Sequence, residues 1–466
     1  MKRRFLYVLA VACSLLLMGQ PASTATTYTI TTVAGNGSAD FPHGDGGFAT
    51  AAALVPKGVA VDALGDIFVI DAGSATGQRP STIRLVAAGL ITTLACNGPD
   101  PLGVPPWGPI LDVHQALCGN LTGVALDITG NLYISQGGGR TVDILTTGSG
   151  VVAINITDVN EPQNMAADSR GNVFVADSGN CRIVQTDRFG SSIVVAGGTC
   201  GYSGDNGPAN NAALSFVTGV AVDGNGNLYI ADTNNARVRK VDGTTHIITT
   251  VAGNGCTTYG AGDGGPATSA SLCYPVAVAV DKSGNLFIAE YNSGLIRRVD
   301  TSGTINTIAG GVSNIALGDG GLATNAKLQF PYSLAVDSAG KIYISDSGNF
   351  RVRLLTPVGP TLVTSVLVTS TGLVFSRVTR TFNATITITN TGQQAIAGPL
   401  QLVLTNLTSG VTLANATGTT NGSPFITVPA VSSLGPGQSA SVNLQFQDPP
   451  NLAILFTPAV YSGTFF

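Results

Sequence analysis

Three observations predict an all-β chain, a six-bladed β-propeller closed by its N-terminal strand and followed by a β-sandwich. A short apolar segment ending in Asp recurs six times. Each recurrence heads a unit of four short strands rich in β-branched residues and broken by Gly, Asn and Asp, the pattern of propeller blades. A lone strand of the fourth kind stands near the start of the chain, where a ring of such units needs one.

The first strands end at Val59-Ala60-Val61-Asp62, Val124-Ala125-Leu126-Asp127, Met165-Ala166-Ala167-Asp168, Val220-Ala221-Val222-Asp223, Val278-Ala279-Val280-Asp281 and Leu334-Ala335-Val336-Asp337. Their aspartates lie 65, 41, 55, 58 and 56 residues apart. In the fourth unit the second strand is Leu228 to Asp232, the third Arg237 to Val241 and the fourth Ile247 to Gly253. The sixth unit stops after its third strand, near Leu354-Leu355, and Thr29-Ile30-Thr31-Thr32-Val33-Ala34-Gly35 is the partner it lacks. Pairing the two closes the ring and hides an edge that would invite aggregation.

Residues 1–25 read as a signal peptide: Lys2-Arg3-Arg4, an apolar run from Phe5 to Met18, then Gly19, Pro21 and the small residues Ser23-Thr24-Ala25. The run is too short for a membrane span, and no later segment in the sequence is long and apolar enough for one. Lipoprotein anchoring through Cys13 is disfavoured, because Ala10 stands where that signal prefers Leu. The formal charge is −4; without Lys2, Arg3 and Arg4, 19 basic residues face 26 acidic ones. That balance opposes nucleic acid as a partner. Six cysteines remain beside Cys13, an even number that favours disulfides in an exported chain. Cys96 and Cys118, and Cys256 and Cys273, bracket loops between blades, while Cys181 and Cys200 fall at meeting ends of an antiparallel hairpin.

The unit from Val220 to Arg237, with Val-Ala-Val-Asp, Gly-Asn-Leu-Tyr-Ile-Ala-Asp and Asn-Asn-Ala-Arg, resembles an NHL repeat. The loop Gly262-Asp263-Gly264-Gly265-Pro266-Ala267-Thr268 resembles the form found in bacterial secreted NHL proteins and teneurin-like propellers. The resemblance covers roughly residues 28–357 and implies a six-bladed propeller. It leaves function open, since the family includes binding scaffolds, RNA binders and a peptide-amidating lyase. The domains are then a signal peptide (1–25), the propeller (26–357), and a linker with a sandwich (358–466). In the last, Thr385 to Gly392, Leu400 to Thr405 and Ser439 to Gln447 alternate polar and apolar residues, which suggests an immunoglobulin-like sandwich.

Chemistry is sparse. The amidating lyases hold zinc with three histidines, and the three here, His43, His114 and His246, fall in loops on opposite faces. The positions where first strands enter the channel, used by lactonase-type propellers for acids and amides, are Lys57, Thr122, Gln163, Thr218, Val276 and Tyr332. No acid or histidine is among them. Asp45, Asp205, Asp263 and Asp319 sit in Gly-rich loops that read as turns; one carboxylate per loop is too few for calcium. Asp177/Arg182, Asp232/Arg237 and Asp346/Arg351 keep a five-residue offset, and where Glu290 replaces Asp the offset position is Leu295, so a structural pair inside each blade is expected. Tyr202 and Tyr259 are expected to pack the Gly-rich loops. Trp107, among Pro105-Pro106 and Gly108-Pro109 and between Cys96 and Cys118, is either a contact finger or a cap on the blade edge.

The function expected is non-enzymatic binding or scaffolding in a secreted or periplasmic setting, without metal or cofactor. The partner would be a protein, peptide or carbohydrate, taken on the face carrying Lys57, Thr122, Gln163, Thr218 and Tyr332, with Trp107 at its rim. The alternative is a secreted lyase or hydrolase of the same propeller type.

Overall fold

The computed structural model describes residues 26–463 apart from 40–43, 74–80, 96–119, 138–140, 147–149, 155–158, 188–189, 312–316, 360, 421, 430–432 and 448–452. Residues 1–25, which the sequence reads as a signal peptide, and Cys96, Trp107, Cys118, His43 and His114 therefore lie outside the described residues. The chain divides into two compact units, Ala25–Val358 and, after it, Gly359–Phe466.

Among the described residues of the first unit, antiparallel sheets follow one another along the chain, five of them built on four sequential strands and the last on three. Their first strands are Pro56–Val61, Leu121–Leu126, Pro162–Ala167, Val217–Val222, Pro275–Val280 and Pro331–Val336, heading sheets 1 to 6. Each first strand neighbours the next, and that of sheet 6 returns to that of sheet 1, so the sheets form a closed ring, a β-propeller. Apolar faces of adjacent sheets share cores; Phe174, Ile183, Val217 and Ile230 belong to one of them. At the bottom of each first strand its Asp turns the chain: the Asp223 carboxylate accepts the N–H groups of Asn225 and Asn227, each at 2.9 Å. This is the reason the apolar segment always ends in Asp.

Sheet 6 takes its fourth strand from the other end of the unit. Tyr28–Ala34 pairs antiparallel with Arg351–Pro357, Ile30 opposite Leu355. Ile30 is fully buried, and Tyr28 and Ala34 are buried with it.

The expected Asp–Arg pairing needs correction. Only Asp177 and Arg182 pair as anticipated, at 2.6 Å. Arg237 instead lies over the Tyr202 ring, 4.2 Å from its centroid, and Arg351 donates to the carbonyls of Asn349 and Asn36. The buried acids take an Arg seven residues on: Asp232–Arg239 at 3.4 Å, Glu290–Arg297 at 2.9 Å and Asp346–Arg353 at 3.2 Å. In sheet 1 the buried Asp71 pairs with Arg84, thirteen residues on. The reason is position. Arg237 and Arg351 open their strands at the half-exposed end, whereas Arg239 and Arg353 lie two residues further in and are wholly buried.

The second guanidinium nitrogen of each buried Arg reaches the aspartate of a Gly-rich loop: Asp45 at 2.7 Å, Asp205 at 2.7 Å, Asp263 at 2.6 Å and Asp319 at 3.0 Å. The loops are turns, as expected, but their aspartates are anchors rather than caps. Gly204 (φ +87°) shows why Gly is required, since a Cβ there would sit 2.6 Å from the Ala212 Cα. Tyr202 packs on its loop, its hydroxyl 3.2 Å from Asp205, while Tyr259 is largely exposed.

Among the described residues two disulfides are present, Cys181–Cys200 and Cys256–Cys273. In the second unit, the sheet built on Thr381–Asn390 and Ser439–Gln447 and the sheet built on Leu400–Thr405 and Thr457–Ser462 share one core. Ile386, Leu444 and Phe446 meet Leu402, Leu404 and Val460 there. The alternating segments of the sequence supply these inner strands. No helix among the described residues is long and apolar enough to cross a membrane.

Candidate functional site

Entry loops and second-to-third strand loops meet on one face of the ring. In each sheet one backbone bond joins them, such as the Tyr291 N–H to the Tyr274 carbonyl (3.1 Å) and the Gly348 N–H to the Gln329 carbonyl (2.8 Å). Below this face the channel narrows to a cavity walled by Val59, Val124, Met165, Val220, Val278 and Leu334.

The six candidate contact residues separate into three groups. Thr122 and Thr218 are buried and do not face a ligand, which corrects the expectation for both. Their hydroxyls bond the next sheet: Thr122 Oγ1 to the Pro162 carbonyl at 2.6 Å, Thr218 Oγ1 to the Val276 carbonyl at 2.7 Å. A short hydroxyl at the start of a first strand fixes the spacing of neighbouring sheets, and burial is the consequence. Trp107 falls outside the described residues. Lys57, Gln163 and Tyr332 come together at the channel mouth.

Tyr332 lies across that mouth. Its hydroxyl donates to Gln163 Oε1 at 2.9 Å, joining sheet 6 to sheet 3. The ammonium of Lys57 stands 5.5 Å from the centre of the Tyr332 ring, a cation–π distance. Burial holds the Lys57 amine below the ordinary lysine value. Burial, with the neighbouring phenols Tyr291 and Tyr274, pushes the Tyr332 hydroxyl up to about 12, so it stays a donor.

Three more aromatic residues widen this floor. Tyr291 stands edge-on to Tyr332 (centroids 6.1 Å apart), stacks on Phe330 (4.8 Å, 22° between planes) and contacts Tyr274 (6.1 Å). Phe330 keeps 40% of its surface exposed. Phe330 and Tyr274 are held at φ +53° and +62°, as Glu161 and Phe216 are at the same place in sheets 3 and 4. A bulky residue in the left-handed region costs roughly 1–3 kcal/mol and persists where the surroundings impose it, often at binding sites. The sequence signal was an aromatic residue immediately before the proline of a first strand, Tyr274-Pro275 and Phe330-Pro331.

His246 lies in the hairpin after Val241, far along the sheet from this face. Among the described residues no group of three or more His, Cys, Asp or Glu side chains could hold a metal ion.

Fold and repeated units define an all-β propeller protein. A teneurin NHL domain profile matches residues 245–316, and an NHL repeat profile matches residues 214–241 and 328–353. These matches make the chain similar to the NHL-repeat propeller family. It is 28% identical to mouse (Mus musculus) Teneurin-1 over 231 residues, 42% of this chain and 8% of that protein. It is 39% identical to human (Homo sapiens) Teneurin-4 over 111 residues, 21% of this chain and 4% of that one. The chain thus spans at most about a tenth of the length of the teneurins it matches. Among solved structures, a protein of unknown function from Bacteroides thetaiotaomicron superposes with TM-score 0.52 at 18% identity, covering 71% of this chain and 76% of the other. An auxiliary nutrient binding protein from Bacteroides ovatus gives TM-score 0.51 at 15% identity, covering 72% and 78%. These likenesses are of fold.

Proposed function

We propose that this is a non-enzymatic binding or scaffold protein acting outside the cytoplasm, a six-bladed propeller with an immunoglobulin-like second domain. Its ligand, a protein, peptide or carbohydrate, would rest on the channel mouth. The observation that carries this reading is the floor itself. Ring faces, a phenol, an amide and a half-buried amine are gathered at one concave place from sheets 1, 3, 5 and 6. Such a mixture of apolar surface with a few fixed polar groups suits recognition. Two disulfides favour an oxidising compartment. That one neighbour of the same fold is described as a nutrient binding protein is in keeping with a binding role.

The rival reading, a lyase or hydrolase, has one observation in its favour: an amine with a lowered pKa is a better base or nucleophile at neutral pH. Glycan and peptide arrays probed with the purified chain and with its Phe330→Ala and Tyr332→Ala variants separate the two. Binding should fall by tenfold or more in both variants if these rings are anchors, a loss of about 1.4 kcal/mol or more. Undiminished binding by both would overturn the assignment. Turnover that disappears in Lys57→Met would favour the rival.

A further inference from the structure

The outer edge of sheet 3 differs from those of its sisters. In sheets 1, 4, 5 and 6 the fourth strand carries Ile91-Thr92-Thr93, Ile248-Thr249-Thr250, Ile305-Asn306-Thr307 and Ile30-Thr31-Thr32 at equivalent places against the third strand. A Gly-rich loop covers each one. The N–H groups of Gly46, Asn206, Gly264 and Gly320 donate to the carbonyls of Ile91, Ile248, Ile305 and Ile30, all at 2.8 Å. Those four isoleucines are wholly buried.

Sheet 3 has Ser192-Ile193-Val194 at these places, so apolar residues occupy the two positions that are polar in sheets 1, 4, 5 and 6. Ile193 is 59% exposed and Val194 38%. The position of the buried Arg is Val184, so the anchor that would hold a loop aspartate is missing as well. Only seven residues, 155–161, connect Ile154 to Pro162, against nineteen to twenty-two in the connections that carry covering loops. Among the described residues no segment pairs with the outer edge of Ser192–Gly197. That strand has no charge and no proline, the usual defences of an open edge.

We propose that Ser192–Gly197 pairs antiparallel with the same strand of a second copy of this chain, joining two four-stranded sheets into one across a two-fold axis. The sister edges state what kind of occupant this position takes: an extended backbone that supplies N–H groups to the fourth strand. Their occupants also bring an aspartate because a buried Arg demands it. In sheet 3 the Arg is Val184 and the flanking surface is Ile193 and Val194, so the occupant must be extended and apolar. Ser192–Gly197 is both, and pairing it with itself brings no like charges together. The inference is independent of the channel mouth.

Light scattering on the size-fractionated full chain tests it. The wild type should show twice the monomer mass at high concentration, with dissociation in the range of about 1–100 µM expected for a strand-pairing contact of modest area. Ile193→Lys should halve the mass with an unchanged melting temperature. Ile193→Thr/Val194→Thr, which restores the sister sequence, should also be monomeric and guards against misfolding as the explanation. A monomeric wild type at the highest concentration, or a dimer that survives both edge variants, would overturn the proposal. So would a monomer whose edge is protected only when an unrelated peptide is added.

Discussion

Replacing Arg297 by Met tests the buried charge networks, which are the least replaceable contacts of the ring. Arg297 is wholly buried between Glu290 (2.9 Å), itself wholly buried, and Asp263 (2.6 Å), whose carboxylate is 42% exposed. Without the guanidinium, Glu290 keeps only the Cys273 N–H (2.7 Å) and the Ser293 hydroxyl (3.2 Å). An uncompensated buried charge of this kind costs about 3–5 kcal/mol. Asp263→Asn removes an outer charge that water already screens and should cost only about 0–1 kcal/mol. Burial already raises Glu290 above the ordinary carboxylate value, and losing Arg297 raises it further. A carboxyl whose folded value exceeds its unfolded one favours the folded state at low pH, and that advantage is lost as pH rises through the folded value. The deficit of Arg297→Met relative to wild type should therefore be largest near about pH 7 and shrink toward about pH 5. Adding Glu290→Gln should recover much of it. Urea titrations followed by far-ultraviolet circular dichroism at both pH values provide the numbers. An Asp263→Asn variant as damaged as Arg297→Met, or a deficit independent of pH, would refute the reasoning.

Three further outcomes are expected. Deleting residues 26–36 should expose the edge of Arg351–Pro357 and yield aggregates in size-exclusion chromatography, while Ile30→Ala alone should cost about 2–5 kcal/mol in urea unfolding. Asp143, buried beside Gln136 Nε2 (2.5 Å) with its pKa raised by burial, should be better neutral. Asp143→Asn should thus gain about 1–3 kcal/mol near neutral pH, a gain that fades on acidification as the wild-type carboxyl protonates. Replacing both Cys181 and Cys200 by Ser should cost about 3 kcal/mol, given a separation of 19 residues; non-reducing peptide mapping should return that pair, Cys256–Cys273 and Cys96–Cys118.

The repeat was legible because its signals are local: an Asp that closes each first turn, β-branched strands and glycines at fixed intervals. The charge network was legible only as a tendency. Asp232 and Arg237 do face each other in register, but register does not say which guanidinium turns inward. A spacing of seven, kept by Asp232/Arg239, Glu290/Arg297 and Asp346/Arg353, held the answer, as did the 34 residues from Asp205, Asp263 and Asp319 to the same arginines. Of the mouth, Lys57, Gln163 and Tyr332 could be placed by analogy of position, whereas the burial of Thr122 and Thr218 depends on the neighbouring sheet's carbonyl. Tyr274 and Tyr291 share one sheet, whereas Phe330 reaches them only from the neighbouring sheet.

The joining of Tyr28–Ala34 to Arg351–Pro357 also sets an order of events in folding. Thr29 bonds Thr356, 327 residues away, and closing a loop of that length costs roughly 5 kcal/mol of chain entropy beyond a constant term. A chain made or exported from its N-terminus presents this strand first and its partner last among the strands of the ring. Five sheets can form from local hairpins while Ile30 waits exposed, and the sixth completes only when the far end arrives. Such a long-range final step predicts slow closure and a lengthy interval in which one apolar strand and one open edge are both at risk. A chain cut and rejoined so that these strands became a hairpin would keep every contact of the ring and shorten that interval.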